Sequence, residues 1–391
     1  MLMRHIYLVL LLLVMVNSVA AQPYQIGHIT ATFIDSARSN RSVPVEIYYP
    51  ADVAGDNTAF AASITGKVPT IAFGHGFVMA WSAYQNIWEA VVPVGYIIIF
   101  PKTEGTFSPS HDAFGKDLSF VLEELAELGN TTTSILYNKV DTMTCVMGHS
   151  MGGGAAHLAA AANTRIKAIA TLAPAETTPS AIAAAAAINA NTLVIAGQND
   201  CVTPPATNQL PMYDATPATC KHYISITGGS HCLMAETNTA CSFGESSCTP
   251  TPTIDRTTQH TIINRYLIPW LNSRLKNDCT SGSLFDATLA AATDVTHQKN
   301  CTLCSTANLS NTTETSKIWA HPNPFVNNIN ITAPSYGDCT VRVYNVLGVL
   351  VHIQSVNGSA TLSLAHLATG IYQCSLQTES GRTLRTTLVK E

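Results

Sequence analysis

Charge is scarce in this chain. Asp, Glu, Lys and Arg make up 12% of its 391 residues, about half the usual ~25%. Formal net charge is −5, and no basic, aromatic-laced cluster exists, so a nucleic-acid partner is without support. The apolar run Ile6–Val16 falls short of the ~20 residues that a membrane helix needs. It follows a positive start at Met1–Arg4 and precedes the small residues Val19-Ala20-Ala21. That order is the pattern of an export signal over residues 1–21, with a mature chain from Gln22. No other segment qualifies as a span, which predicts a secreted protein with no stable membrane span. A metal-ligand pattern is missing as well. Cys301-Thr-Leu-Cys304 has no second Cys/His pair at suitable spacing, so disulfide is favoured over metal, and no metal or other cofactor is expected.

Cysteine, in contrast, is abundant: eleven residues, a number that fits an oxidising compartment. Cys145 lies inside an apolar run and is expected to be a buried free thiol. Cys201 and Cys232 stand one residue after two candidate catalytic groups, which makes a bridge between them geometrically attractive. Cys241 and Cys248 flank a short Ser/Gly loop and can pair locally. Cys279, Cys301 and Cys304 are expected to staple the end of the same domain. The sequence does not fix the connectivity.

The most informative segment is Gly148-His149-Ser150-Met151-Gly152. It matches G-x-S-x-G, in which a serine occupies a sharp strand-to-helix turn. Upstream, residues 140–147 form an apolar run suited to a buried parallel strand. Downstream, residues 153–162 are small and predict a helix able to approach a sheet closely. A serine needs a base and an orienting acid, and behind such an elbow the chain order is serine, acid, histidine. Leu193–Gly197 reads as a strand ending near Asp200, and His222–Thr227 as a strand ending near His231. Active sites of open α/β sheets form at such strand ends. Among the thirteen histidines, His157 is expected to be a packed residue of the elbow helix. His75 and His149 are expected to line the site without acting as base. Asp214 and Glu176 are rival acids that fit the strand-end rule less well.

The second catalytic requirement is a pair of backbone N–H groups for an oxyanion. One belongs to Met151, at a helix N-terminus whose partial positive charge favours an anion. The other is expected from Phe77, in the glycine-rich loop Gly74-His75-Gly76-Phe77 after the strand 69–74.

Strands are predicted near 45–49, 69–74, 95–100, 140–147, 166–172, 192–197 and 221–227. Helices are predicted near 80–91, 112–128, 151–162, 204–213 and 255–276. This alternation is an α/β pattern with a mostly parallel sheet. The short Ala-rich stretch Pro174–Asn191 cannot build a separate cap domain, so the site is expected to be open. Residues 305–316, rich in Ser, Thr and Asn, read as a linker containing sequons at Asn308 and Asn311. Residues 317–391 alternate polar and apolar and predict a small β-sandwich.

Residues 67–232 resemble the cutinase and poly(ethylene terephthalate) hydrolase branch of the α/β-hydrolases, which overlaps dienelactone-hydrolase-like proteins. The residues that carry the resemblance are Gly76-Phe77, Lys139–Thr142, Gly148–Gly154, Ala173-Pro174, Asn199-Asp200 with Pro204, Leu210–Asp214 and Gly228–His231. The resemblance implies an α/β-hydrolase fold over residues 22–304. It also implies a Ser150–His231–Asp200 triad, oxyanion donors at Phe77 and Met151, and an aromatic substrate contact at Phe77. One residue departs from the pattern. Polyester hydrolases of the family carry Trp after the Ala-Pro pair, where this chain has Ala175, which cannot stack on a ring. General esterase activity is therefore expected, and weak activity on terephthalate polyester unless Phe77 or Trp81 grips the ring instead. The tail, through Pro322–Phe325, Val343–Asn345, Gly348, Gly370–Tyr372 and Lys390, resembles the C-terminal sorting domain of type IX secretion in Bacteroidetes. That implies the secretion machinery as a partner, with removal of the tail and release or surface attachment. A carbohydrate-binding or adhesive module is the other reading of this tail, and its lack of clustered aromatics counts against it. The expected protein is a secreted serine carboxylic-ester hydrolase acting on acyl esters, polyesters included. A serine peptidase or a non-catalytic binding module on the same fold are the alternatives.

Overall fold

The computed structural model describes residues 24–304, 319–332, 338–345, 350–357, 359–378 and 383–391. The expected export signal and linker lie outside them. The chain divides into two compact units, Met1–Ser305 and Thr306–Glu391.

The first unit contains strands β1 (Gln25–Asp35), β2 (Arg41–Ala51), β3 (Gly55–Asp56), β4 (Val68–Gly74), β5 (Ile97–Pro101), β6 (Val140–His149), β7 (Ala168–Leu172), β8 (Asn191–Gly197), β9 (Lys221–Ile226) and β10 (Val295–Lys299). Its helices are α1 (Gln85–Val91), α2 (His111–Asn130), α3 (Met151–Ala162), α4 (Ala181–Ala185), α5 (Gln209–Ala215), α6 (Thr239–Glu245), α7 (Arg256–Leu275) and α8 (Cys279–Ala290). The strands form one ten-stranded sheet in the order β10-β9-β8-β7-β6-β4-β5-β2-β1-β3. From β5 to β9 neighbouring strands run parallel. β2 pairs antiparallel with both β5 and β1, and β10 pairs antiparallel with β9. The sheet is therefore mixed: its centre has the expected parallel character, and the short β3 at one edge also pairs parallel with β1.

Period-two burial explains the layers. On β4 to β6, Ile71, Phe73, Ile98, Phe100, Cys145 and Met147 face one core, which Tyr84 and Trp88 near and on α1 and Trp270 on α7 complete. The alternate residues Ala72, Ile97, Ile99 and Val146 face the other, built with Phe114 and Leu118 of α2 and Ala155 and Ala159 of α3. Both faces of the central strands are covered, which is why these segments read as continuous apolar runs. Each fully buried large side chain contributes about 1.5–3 kcal/mol.

Differences from the predicted elements have local causes. β10 is an edge strand and β1 is flanked on its outer side only by the two-residue β3; polar side chains alternate in β1 and dominate in β10, where four of the five residues are exposed. Helix α5 begins at Gln209 rather than near 204. Pro204 and Pro205 bring no N–H, and a turn forms instead, with Thr207 and Asn208 donating N–H to Pro204 O at 3.1 Å. The segment between β7 and β8 holds only the five-residue α4.

The second unit contains β11 (Trp319–His321), β12 (Asn328–Thr332), β13 (Asp338–Tyr344), β14 (Leu350–Asn357), β15 (Ser359–Ser363), β16 (Gly370–Thr378) and β17 (Thr383–Lys390). They form two antiparallel sheets, β11-β12-β15 and β14-β13-β16-β17. Ile329, Ile331 and Leu362 of the first share one core with Val341, Val343, Leu376 and Leu388 of the second.

Candidate active site

Ser150 stands between β6 and α3 with φ 55° and ψ −124°, a costly backbone state for a residue with a Cβ. Glycines make the turn possible. A Cβ on Gly152 would lie 2.1 Å from Gly74 O, and one on Gly148 would lie 2.3 Å from Gly152 O. Ser150 N donates to Leu172 O at 3.1 Å, and Ala175 N donates to Ser150 O at 2.9 Å. The elbow is thus tied to the end of β7. Among the described residues the Ser150 hydroxyl makes no hydrogen bond.

The loops after β8 and β9 bring Asp200 and His231 together. Asn199 N donates to Gly229 O at 2.8 Å. Gln259 of α7 grips Ser230 twice, accepting its N–H at 3.0 Å and donating to its carbonyl at 2.8 Å. Between these anchors, His231 Nδ1 lies 2.7 Å from Asp200 Oδ2. Both residues are buried, at 2% and 4% exposure. Asp200 Oδ1 accepts N–H bonds from Val202 and Thr203 at 2.9 and 2.8 Å, so the carboxylate is fully engaged. Thr203 was not anticipated from the sequence. Its hydroxyl donates to Asp200 Oδ2 at 2.9 Å, lies 3.0 Å from His231 Nδ1, and receives Gln209 Nε2 at 3.0 Å. A carboxylate facing Nδ1 places the imidazole proton there and leaves a lone pair on Nε2.

His149, beside Ser150, carries its ring 4.6 Å from that of His231, and its Nε2 lies 3.2 Å from His231 O. His75 is buried, with its ring nitrogens 2.9 Å from Gly76 O and Thr103 O. Burial pushes both residues below the ordinary histidine range. His157 is enclosed in α3, with Nδ1 2.9 Å from Gly153 O, and burial lowers it to about 4. Neither rival acid is the hydrogen-bond partner of His231 Nδ1, which is Asp200. Asp214 is exposed on α5, and Glu176 accepts Ile182 N at 2.9 Å.

A cleft of about 490 Å³ opens over Ser150, lined by Phe77, Phe107, His111, Met151, Ala175 and Glu176 among others. Phe77 and Phe107 are 47% and 84% exposed and meet edge to face at 6.3 Å. Phe107 was also not anticipated, because a ring in a Ser/Pro loop has no periodic signature. Trp81 packs instead with His28, Tyr48 and Trp88. Val78, a β-branched residue, adopts φ 54° immediately after Phe77, which strains the loop next to the site.

The disulfides differ from expectation. Cys201 pairs with Cys248 and Cys232 with Cys241, so neither a Cys201–Cys232 bridge nor a local Cys241–Cys248 bridge forms. The acid and base loops already meet through backbone and side-chain bonds, and their cysteines reach outward to the segment around α6. Cys279 pairs with Cys304, and Cys301 with Cys220. Cys145 is buried and free, as expected, and Cys374 is buried and free as well. Cys220, His222 and Cys301 come together as a possible metal set. Their sulfurs are bonded to each other, and Trp270 Nε1 donates towards His222 Nδ1 at 3.4 Å. That contact leaves the proton on Nε2, which points at Cys301 Sγ at 3.8 Å.

The relatives of the chain include a cutinase of Thermobifida alba, 26% identical over 224 residues, which covers 56% of this chain and 72% of that protein. A cutinase of Thermobifida fusca is 24% identical over 264 residues, 66% of this chain and 73% of its own. Cutinase 2 of Thermobifida cellulosilytica is 24% identical over 263 residues, covering 66% and 89%. These relatives support carboxylic-ester hydrolysis in general. Residues 319–391 match the secretion system C-terminal sorting domain, and residues 18–293 match the PET hydrolase-like model; the chain belongs to the PET hydrolase-like family and ends in a sorting domain.

Proposed function

We propose that the protein is a secreted serine esterase in which Ser150, His231 and Asp200 act as a triad. The hydrogen bond from buried His231 Nδ1 to the fully engaged Asp200, beside a strained elbow serine, is the observation that carries this reading. Ser150 Oγ attacks the ester carbonyl while His231 Nε2 takes its proton. The Met151 and Phe77 N–H groups receive the oxyanion. The intermediate collapses to an acyl-enzyme, and the departing alkoxide takes the proton from His231. Water then gives a proton to His231 and attacks the acyl carbon; the second intermediate collapses, His231 returns that proton to the departing Ser150 Oγ, and the acid is released. Asp200 holds the imidazole tautomer and balances its positive charge.

Short and medium acyl esters fit the open cleft. For aromatic esters, Phe107 together with Phe77 supplies the ring surface that Ala175 lacks. Residues 1–21 direct export, 22–304 form the catalytic domain, 305–316 the linker and 317–391 the sorting domain, which the type IX machinery removes. The deciding experiment is a panel of p-nitrophenyl esters against peptide anilides, with Ser150→Ala as control. Ester turnover that vanishes in the variant supports the reading. Anilide turnover alone favours a peptidase, and no turnover favours a binding module.

A further inference from the structure

Gly76 of the oxyanion loop, His149 at the end of β6 and His231 of the base loop lie on three separate segments. One buried chain of hydrogen bonds joins them. Gly76 N–H donates to Tyr84 Oη at 2.7 Å. Tyr84 Oη lies 3.0 Å from His149 Nδ1, and His149 Nε2 lies 3.2 Å from His231 O. Tyr84 and His149 are 0% exposed.

Chemistry fixes the direction of the chain. A carbonyl oxygen only accepts, so His149 Nε2 carries a proton. Burial, reinforced by the neighbouring His231, keeps His149 neutral, so Nδ1 offers a lone pair. The Tyr84 O–H fills it, and the Tyr84 oxygen accepts from Gly76 N–H. Met79 Sδ, 3.3 Å from the same hydroxyl, is a weaker acceptor than an imidazole nitrogen. Space filling alone would not require this matching of donors to acceptors. A Cβ on Gly76 would sit 2.7 Å from Met79 Sδ and 3.1 Å from Tyr84 Oη, so the loop is closed tightly onto the chain.

We propose that Tyr84 and His149 are positioning residues that hold the oxyanion donor, the nucleophile and the base in register for turnover. The proposal rests on the triad reading of Ser150 and His231. His149 precedes Ser150, and Gly76 precedes Phe77. His231 is held by its backbone carbonyl, which leaves its ring free to transfer protons. A displacement anywhere along the chain shifts the three groups relative to one another, and small misplacements cost rate rather than affinity.

The test uses Tyr84→Phe, His149→Gln, His149→Leu and the double variant Tyr84→Phe/His149→Leu. p-Nitrophenyl butyrate hydrolysis and Tm are measured for each. Tyr84→Phe should lower kcat about tenfold with KM within about twofold. His149→Leu should lose at least as much. His149→Gln, whose amide can donate to His231 O and accept from Tyr84, should keep most of the rate. The double variant should lose no more than His149→Leu alone, because both changes break one chain. Wild-type kcat in Tyr84→Phe, losses that multiply in the double variant, or Gln no better than Leu at 149 would each overturn the proposal. If the Leu variants do not fold, the rates of Tyr84→Phe and His149→Gln decide it. Turnover that persists in Ser150→Ala is a different result and overturns the triad reading itself.

Discussion

Asp200 and His231 are 4% and 2% exposed, and every polar atom of the carboxylate is engaged. Two disulfides fasten the residues after them to the α6 segment. In the cleft over Ser150, Phe77 and Phe107 are 47% and 84% exposed and meet edge to face. Proton transfer demands fixed distances, so its groups are buried and cross-linked. Holding an acyl chain or a ring tolerates adjustment, so its groups can stand in solvent. On the proposed reading, the molecule combines a rigid acid–base pair with an adaptable binding wall in the cleft over Ser150. Damage to the first should fall on kcat for all esters, and damage to the second on the choice among them.

The sharpest break of this comparison is Ser150→Ala, expected to lower kcat by on the order of 10⁶ and to abolish fluorophosphonate labelling, with circular dichroism unchanged. Retained labelling would move the nucleophile elsewhere. Asp200→Asn keeps the shape of the rigid pair but turns the imidazole to the wrong tautomer, and a loss of about 10⁴ is expected. A loss below about tenfold would show that Thr203 alone orients His231. Milder still, dithiothreitol should lower ester turnover by roughly tenfold before far-UV circular dichroism changes, because the α6 segment is released while the core persists. Cys241→Ser with Cys248→Ser should mimic it. Simultaneous loss of activity and structure would assign these bridges to overall stability, where a disulfide typically contributes about 2–4 kcal/mol. The smallest effect belongs to the exposed wall. Phe107→Ala should lower terephthalate-polyester turnover about two- to tenfold relative to butyrate hydrolysis, and Ala175→Trp should raise that ratio. Equal effects on both substrates would remove Phe107 from substrate recognition.

The legible part of this site is the part generated by local rules. Ser150, Asp200 and His231 each follow a short run that reads as a buried strand, and strand ends gather at one edge of a parallel sheet. The Asp200–His231 contact follows from that placement. Thr203 and Gln209 were hidden because they act through side chains folded back across a proline-interrupted turn. Tyr84 was hidden inside an amphipathic stretch, where an aromatic residue reads as core. β1 and β10 were missed because a strand at or next to a sheet edge need not bury both faces, so its polar residues mask the pattern.

Sequence by itself determined the elbow, the order of the catalytic candidates, the α/β class and the separate β-rich tail. Each of these depends on short local patterns or on the order in which such patterns follow one another along the chain. Tertiary structure alone decided which cysteines meet, that Phe107 lines the cleft over Ser150, and that Tyr84 links Gly76 to His149. These are contacts between segments far apart in the chain. Composition and periodicity constrain which face of an element is buried, but they do not say which distant side chain lies against it.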